Sequence, residues 1–133
     1  MRLHVVSDVH GSTAELARAA DGADALVCLG DLVLYLDYAD PARGVFADLF
    51  GADSAAHFIE LRTAGRFADA HAWSARMWDD VVAREGKERS ALVEERVRAQ
   101  YAELFVAMPE PAYLTYGNVD VPRYWADYLQ PGH

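Results

Sequence analysis

The chain has one cysteine, one lysine and no apolar stretch long enough for a membrane span, and each shortage excludes a class of protein. A lone cysteine forms no internal disulfide, so Cys28, inside Ala25-Leu26-Val27-Cys28-Leu29, is expected to pack as a small hydrophobe. No segment approaches the about 18 unbroken apolar residues that a membrane helix needs. The first residues lack the apolar core of a secretory leader, so a cytoplasmic protein without membrane contact is expected. Lys87 is the only lysine, no Lys/Arg run occurs, and the net charge is −9. That balance repels phosphate backbones and argues against nucleic acid as a non-specific partner.

What is present suffices for a core. Of 133 residues 53% are apolar and 25% charged, which fits one domain or a large part of one. Leu3 to Val6 predicts a strand, with His4 interrupting its apolar pattern, so one face is expected to be less deeply buried. Ser12-Thr13-Ala14-Glu15 has the spacing of a capping box and predicts a helix running to about Ala20. Ala25 to Leu29 predicts a second strand, apolar throughout as for a strand covered on both faces. Strand, helix and strand make a βαβ unit. A helical insertion is expected over residues 41–108. It begins at Asp40-Pro41, continues through Ser54 to Thr63, then follows two apolar stripes: Phe67, Ala70, Ser74, Met77, Trp78, Val81 and Val93, Val97, Tyr101, Leu104, Phe105, Met108. Pro109 and Pro111 close the last helix, and Ala112 to Tyr116 predicts a third strand.

Three short motifs stand where these strands end. Asp8-Val9-His10 puts a carboxylate and an imidazole two residues apart, on one side of an extended segment, with Gly11 free to turn toward a phosphate. Gly30-Asp31 supplies a second carboxylate. Gly117-Asn118-Val119-Asp120 adds an amide oxygen, a neutral ligand for a cation already bound to carboxylate. Taken singly, each also fits a plain turn: Asp8 and Asp31 as turn formers, His10 as a surface loop residue, Gly117-Asn118 as a turn dipeptide. Their order and placement favour a shared site.

On these motifs the chain resembles the N-terminal half of a calcineurin-like metallophosphoesterase, whose pattern runs D-x-H, G-D, G-N-H-[D/E], H, G-H-x-H. The likeness covers roughly residues 1–35 and 112–122. It implies an α/β fold, the βαβ start of a metallophosphoesterase-type sandwich, with 1–133 as a single partial domain carrying the insertion. It also implies a hydrolase or phosphatase acting on a phosphate ester through a metal-bridged hydroxide. By the resemblance Asp8, His10, Asp31 and Asn118 are metal ligands, with Asp31 bridging two divalent ions (Mn, Fe, Zn or Mg), and Asp31, Asn118 and Asp120 form the catalytic set. Val119 stands where the family carries a histidine, Leu34 stands where many members carry a further Asp, and no later H or G-H-x-H segment follows. The missing C-terminal half, or a second copy, is therefore expected to be needed for activity.

Other residues of chemical interest are expected to be structural. His57, His71 and His133 are assigned to packing or surface, Trp73, Trp78 and Trp125 to core, and Arg43, Arg62 and Arg66 to solvated helix faces. The rival expectation is a non-catalytic α/β interaction or oligomerisation module that retains the motif loops.

Overall fold

In the computed structural model, which describes residues 1–133, the chain is α/β, with about half its residues helical and three short strands in one parallel sheet. It divides into two compact units, Met1–Leu34 with Val97–His133, and Tyr35–Arg96. No helix is long and apolar enough to cross a membrane.

The first unit holds the sheet. Strand β1 (Leu3–Val6), helix α1 (Thr13–Arg18) and strand β2 (Ala25–Cys28) form the expected βαβ unit. Strand β3 (Ala112–Leu114) pairs on the other side of β2, giving the order β1-β2-β3 with Val5 beside Val27 and Val27 beside Tyr113. α1 opens after Ser12 as the sequence predicts, but no capping side-chain hydrogen bond forms. Backbone bonds from Ser12 N–H to Val9 and from Leu16 N–H to Ser12 set its start instead.

Alternation along the strands sorts residues by face. Leu26 and Cys28 are fully buried, and burial pushes the Cys28 thiol pKa up. One face of β1 is indeed open, but it is that of Leu3 and Val5, not that of His4. Val5 is 60% and Tyr113 64% exposed, side by side in the row through Val27. His4 is half-buried and donates from Nδ1 to the Ala19 carbonyl at the end of α1 (2.9 Å). The helix thus lies over the parity that includes His4 and leaves the apolar parity uncovered.

Helix α5 (Arg89–Ala107) contributes Val97, Tyr101, Leu104 and Phe105 to the first unit, at the spacing of one helical stripe, and Met108 follows directly after it. Phe105 packs against Trp125 of a 3-10 helix (Pro122–Asp127) and against His133, at ring separations of 5.7 Å each.

The second unit is helical: α2 (Val45–Phe50), α3 (Ala52–Thr63), α4 (Phe67–Glu85) and the start of α5. Phe46 meets Phe50 and Phe58 at 4.7 Å, and Phe50 meets Trp78 at 4.9 Å. The helix expected from Asp40-Pro41 begins only at Val45. Asp37 Oδ1 accepts the Ala39 and Asp40 N–H groups and Asp40 Oδ1 accepts that of Ala42, side-chain turns that compete with a helix.

Adjacent positions on α5 give a stability test, since Phe105 is 1% and Val106 80% exposed. Phe105→Ala is expected to lower the unfolding free energy by about 3–5 kcal/mol. Val106→Ala should change it by less than about 0.5 kcal/mol in the same urea titration.

Candidate functional site

Asp8, His10 and Asp31 are the three non-glycine residues of the chain with positive φ, at 55°, 43° and 56°. Left-handed backbone is sparsely populated by residues bearing a Cβ, although Asp and His tolerate it better than most. Val9 anchors the first pair: its side chain is buried while Asp8 on one side is exposed and His10 on the other half-buried. The central residue of the motif is thus a core residue that leaves its neighbours facing outward.

Backbone bonds stitch the first two motif loops together. Asp8 N–H donates to Gly30 (3.2 Å), His10 N–H to Asp31 (2.9 Å) and Gly11 N–H to Leu32 (2.8 Å). The His10 ring is fixed as well. Its Nδ1 lies 3.1 Å from the Val33 carbonyl, which can only accept, so Nδ1 carries the proton. In the neutral ring the lone pair is then on Nε2, which stands 3.7 Å from Asp8 Oδ1. That is beyond hydrogen-bond range. It lies within the about 4.2 Å that two ligands, each about 2.1 Å from one ion, can span. A backbone carbonyl holding the distal nitrogen is the usual support for a metal-binding imidazole.

The third motif is held to the second by Asp120. Its carboxylate accepts the N–H groups of Asp31 (2.8 Å), Leu32 (3.0 Å) and Gly117 (2.9 Å), and the Tyr101 hydroxyl (3.3 Å). Tyr101 in turn accepts the Val121 N–H at 2.7 Å. The two loops approach so closely that two positions require glycine. A Cβ on Gly30 would collide with the backbone of Tyr116 and Gly117, and a Cβ on Gly117 would collide with the Asp31 carboxylate. Asp31 Oδ1 is turned to this loop and receives the Val119 N–H at 3.4 Å.

The sequence-derived site residues therefore divide. Asp8 and His10 come together as side chains. Asp31 sits on the adjoining loop against Gly117, and Asn118 is exposed on the loop that Asp120 secures. No group of three or more His, Cys, Asp or Glu side chains is arranged to hold a metal ion. Carboxylate, imidazole and amide oxygen are donors that suit hard and borderline divalent cations, and the geometry brings together one such pair, Asp8 with His10. His133 accepts the Gln130 N–H through Nδ1, and Leu34 is a core residue.

Two contributors escaped the sequence reading. Tyr101 belongs to an apolar stripe, and nothing in the pattern announces its hydroxyl. Gln100 beside it grips Leu34 twice: Oε1 accepts the Leu34 N–H and Nε2 donates to its carbonyl, each at 2.8 Å. A lone glutamine on a helix gives no signal of that kind.

Burial, opposed by the Val121 hydrogen bond and assisted by the nearby Asp120 charge, pushes the Tyr101 pKa up to about 12. A folded pKa above the unfolded value favours the folded state below the unfolded pKa, and that contribution is lost as pH rises toward the folded one. Stability attributable to the phenol should therefore fall between about pH 10 and 12, and Tyr101→Phe should lack that component in alkaline unfolding curves. Asp120→Asn replaces one accepting oxygen with an amide donor facing backbone N–H groups. It is expected to destabilise by about 2–3 kcal/mol and to speed amide exchange at Asp31, Leu32 and Gly117. No family model matches this chain, and neither a curated protein nor a solved structure does.

Proposed function

We propose that this chain is a metal-dependent phosphoesterase of the calcineurin-like type, a hydrolase that cleaves a phosphate ester. The observation carrying this reading is the Asp8–His10 pair: a fixed imidazole whose free nitrogen stands 3.7 Å from a carboxylate, both on left-handed backbone. Strained backbone that the surroundings hold in place clusters at functional sites. Asp8 and His10 would hold one divalent ion, Asp31 would stand between two, and the Asn118 amide oxygen would serve the second. Bound ions of this kind offset phosphate charge and acidify water to near-neutral pKa. Asp120 acts as a positioning residue, because its carboxylate accepts from the backbone of the two loops and from Tyr101. With Val119 in place of an acid, esters whose leaving group departs without a proton, such as aryl esters, are the preferred substrates.

A second reading, an association module, is favoured by the exposed apolar row of Val5 and Tyr113. A second copy or a further polypeptide segment seated there would bury it. Sedimentation across a concentration series tests self-association, which an apparent mass that stays constant would remove.

Hydrolysis of an aryl phosphodiester with and without Mn²⁺ tests the first reading. Mn²⁺-stimulated turnover is expected once the C-terminal half or a second copy completes the site, and is reduced at least about tenfold by Asp31→Asn. Asp8→Gly relieves left-handed strain while removing a ligand, so it should abolish Mn²⁺ binding in calorimetry yet leave thermal stability unchanged or raised. Turnover indifferent to metal and to Asp31→Asn would overturn the proposal.

A further inference from the structure

The helical unit carries a cavity that the motif chemistry does not use. It measures about 240 Å³ and is lined by Phe58 and Arg62 of α3 and by Phe67, Ala70, His71 and Ser74 of α4. Ala70 forms a buried floor, and Phe67 keeps 60% of its surface exposed at the wall. In a chain of net charge −9, this lining has an arginine and a histidine and no carboxylate.

Of the neighbouring acids, Asp69 pairs with Arg66 at 2.8 Å, and Glu60 lies 3.6 Å from the His57 ring. The Arg62 side chain is engaged by rings alone: its guanidinium carbon lies 5.8 Å from the centroids of both Phe58 and Phe67. Both rings lie within cation–π reach of the charged group and leave its five N–H donors free. An oxyanion entering here meets an exposed arginine whose donors are not already bound to an acceptor.

Size and donor count narrow the ligand. A cavity of about 150 Å³ accommodates benzene, and drug-sized ligands occupy about 300 Å³ or more. The space fits one ring with a small head group. Arg62, His71 and Ser74 put three polar side chains in the lining, enough to serve the three oxygens of a tetrahedral oxyanion. We propose that this cavity is a binding site for a single-ring aryl phosphate or phosphonate, with the oxyanion on Arg62 and His71 and the ring against Phe58 and Phe67. The site is independent of the phosphoesterase reading, since it contains none of the motif residues.

Phenylphosphonate has no ester bond to hydrolyse and serves as the probe, titrated in EDTA into the full ¹⁵N-labelled chain and read by amide chemical shifts. Shifts concentrated over residues 58–74 are expected, with affinity falling about tenfold in Arg62→Gln, the loss of one charge-assisted interaction. Methylphosphonate, lacking the ring, should bind more weakly, and Phe67→Ser should narrow that difference. His71→Gln should weaken phenylphosphonate while leaving the thermal transition in place. Absence of shifts in that segment, shifts confined to the Asp8–Gly11 loop, unchanged affinity in Arg62→Gln, or equal affinity for benzoate would each overturn the proposal.

Discussion

The first unit depends on a carboxylate that does not itself reach the Asp8–His10 pair. Asp120 gathers backbone donors from residues 31 and 32, 89 and 88 positions away in the chain, and from residue 117 beside it, and receives the Tyr101 hydroxyl besides. Each bond to an ionised acceptor is stronger than a neutral one, and each donor would otherwise face a partly buried site without a partner. The strand ends beside it can be short because the loops beyond them are tied directly to one another. This also explains why glycine stands at positions 30 and 117, where the backbones meet without room for a side chain.

Around that clamp the backbone is held in conformations that the free chain would avoid. Three left-handed residues in two adjacent loops cost about 1–3 kcal/mol each, less for Asp and His than for branched residues. The anchoring of Val9 in the core and the ladder from Gly30 to Leu32 over-determine them. The result is a fixed backbone at Asp8 and His10, with the His10 ring held by the Val33 carbonyl.

Much of the first unit was legible in the sequence. Apolar runs located β1, β2 and β3, and the stripe from Val97 to Met108 located the core face of α5, because burial imposes period 2 on strands and 3.6 on helices. The motif order placed Asp8, His10 and Asp31 at strand ends, where parallel sheets expose their loops. What could not be read was the division of labour among the acids. Asp31 and Asp120 both stand in short loop motifs after a strand, and only the fold shows that Asp120 is a scaffold acceptor for four donors. Nor does a short amphipathic pattern tell which parity of β1 the helix will cover. Leu3 and Val5 are the stronger apolar pair, yet His4 has the Ala19 carbonyl as partner and lies on the covered side. In the helical unit, Arg62 is one more arginine on a polar face until Phe58 and Phe67 are seen on either side of it.

The sheet is also asymmetric at its rims. Beyond β3 the Ala112 N–H is already taken by the Gly132 carbonyl, so the turn carrying His133 closes that border. β1 has a strand on one flank only, and its far flank presents an unclaimed row of peptide groups. Widening by strand addition is consequently open in one direction, and any incoming strand would be laid down next to Leu3 and Val5, extending the uncovered apolar face.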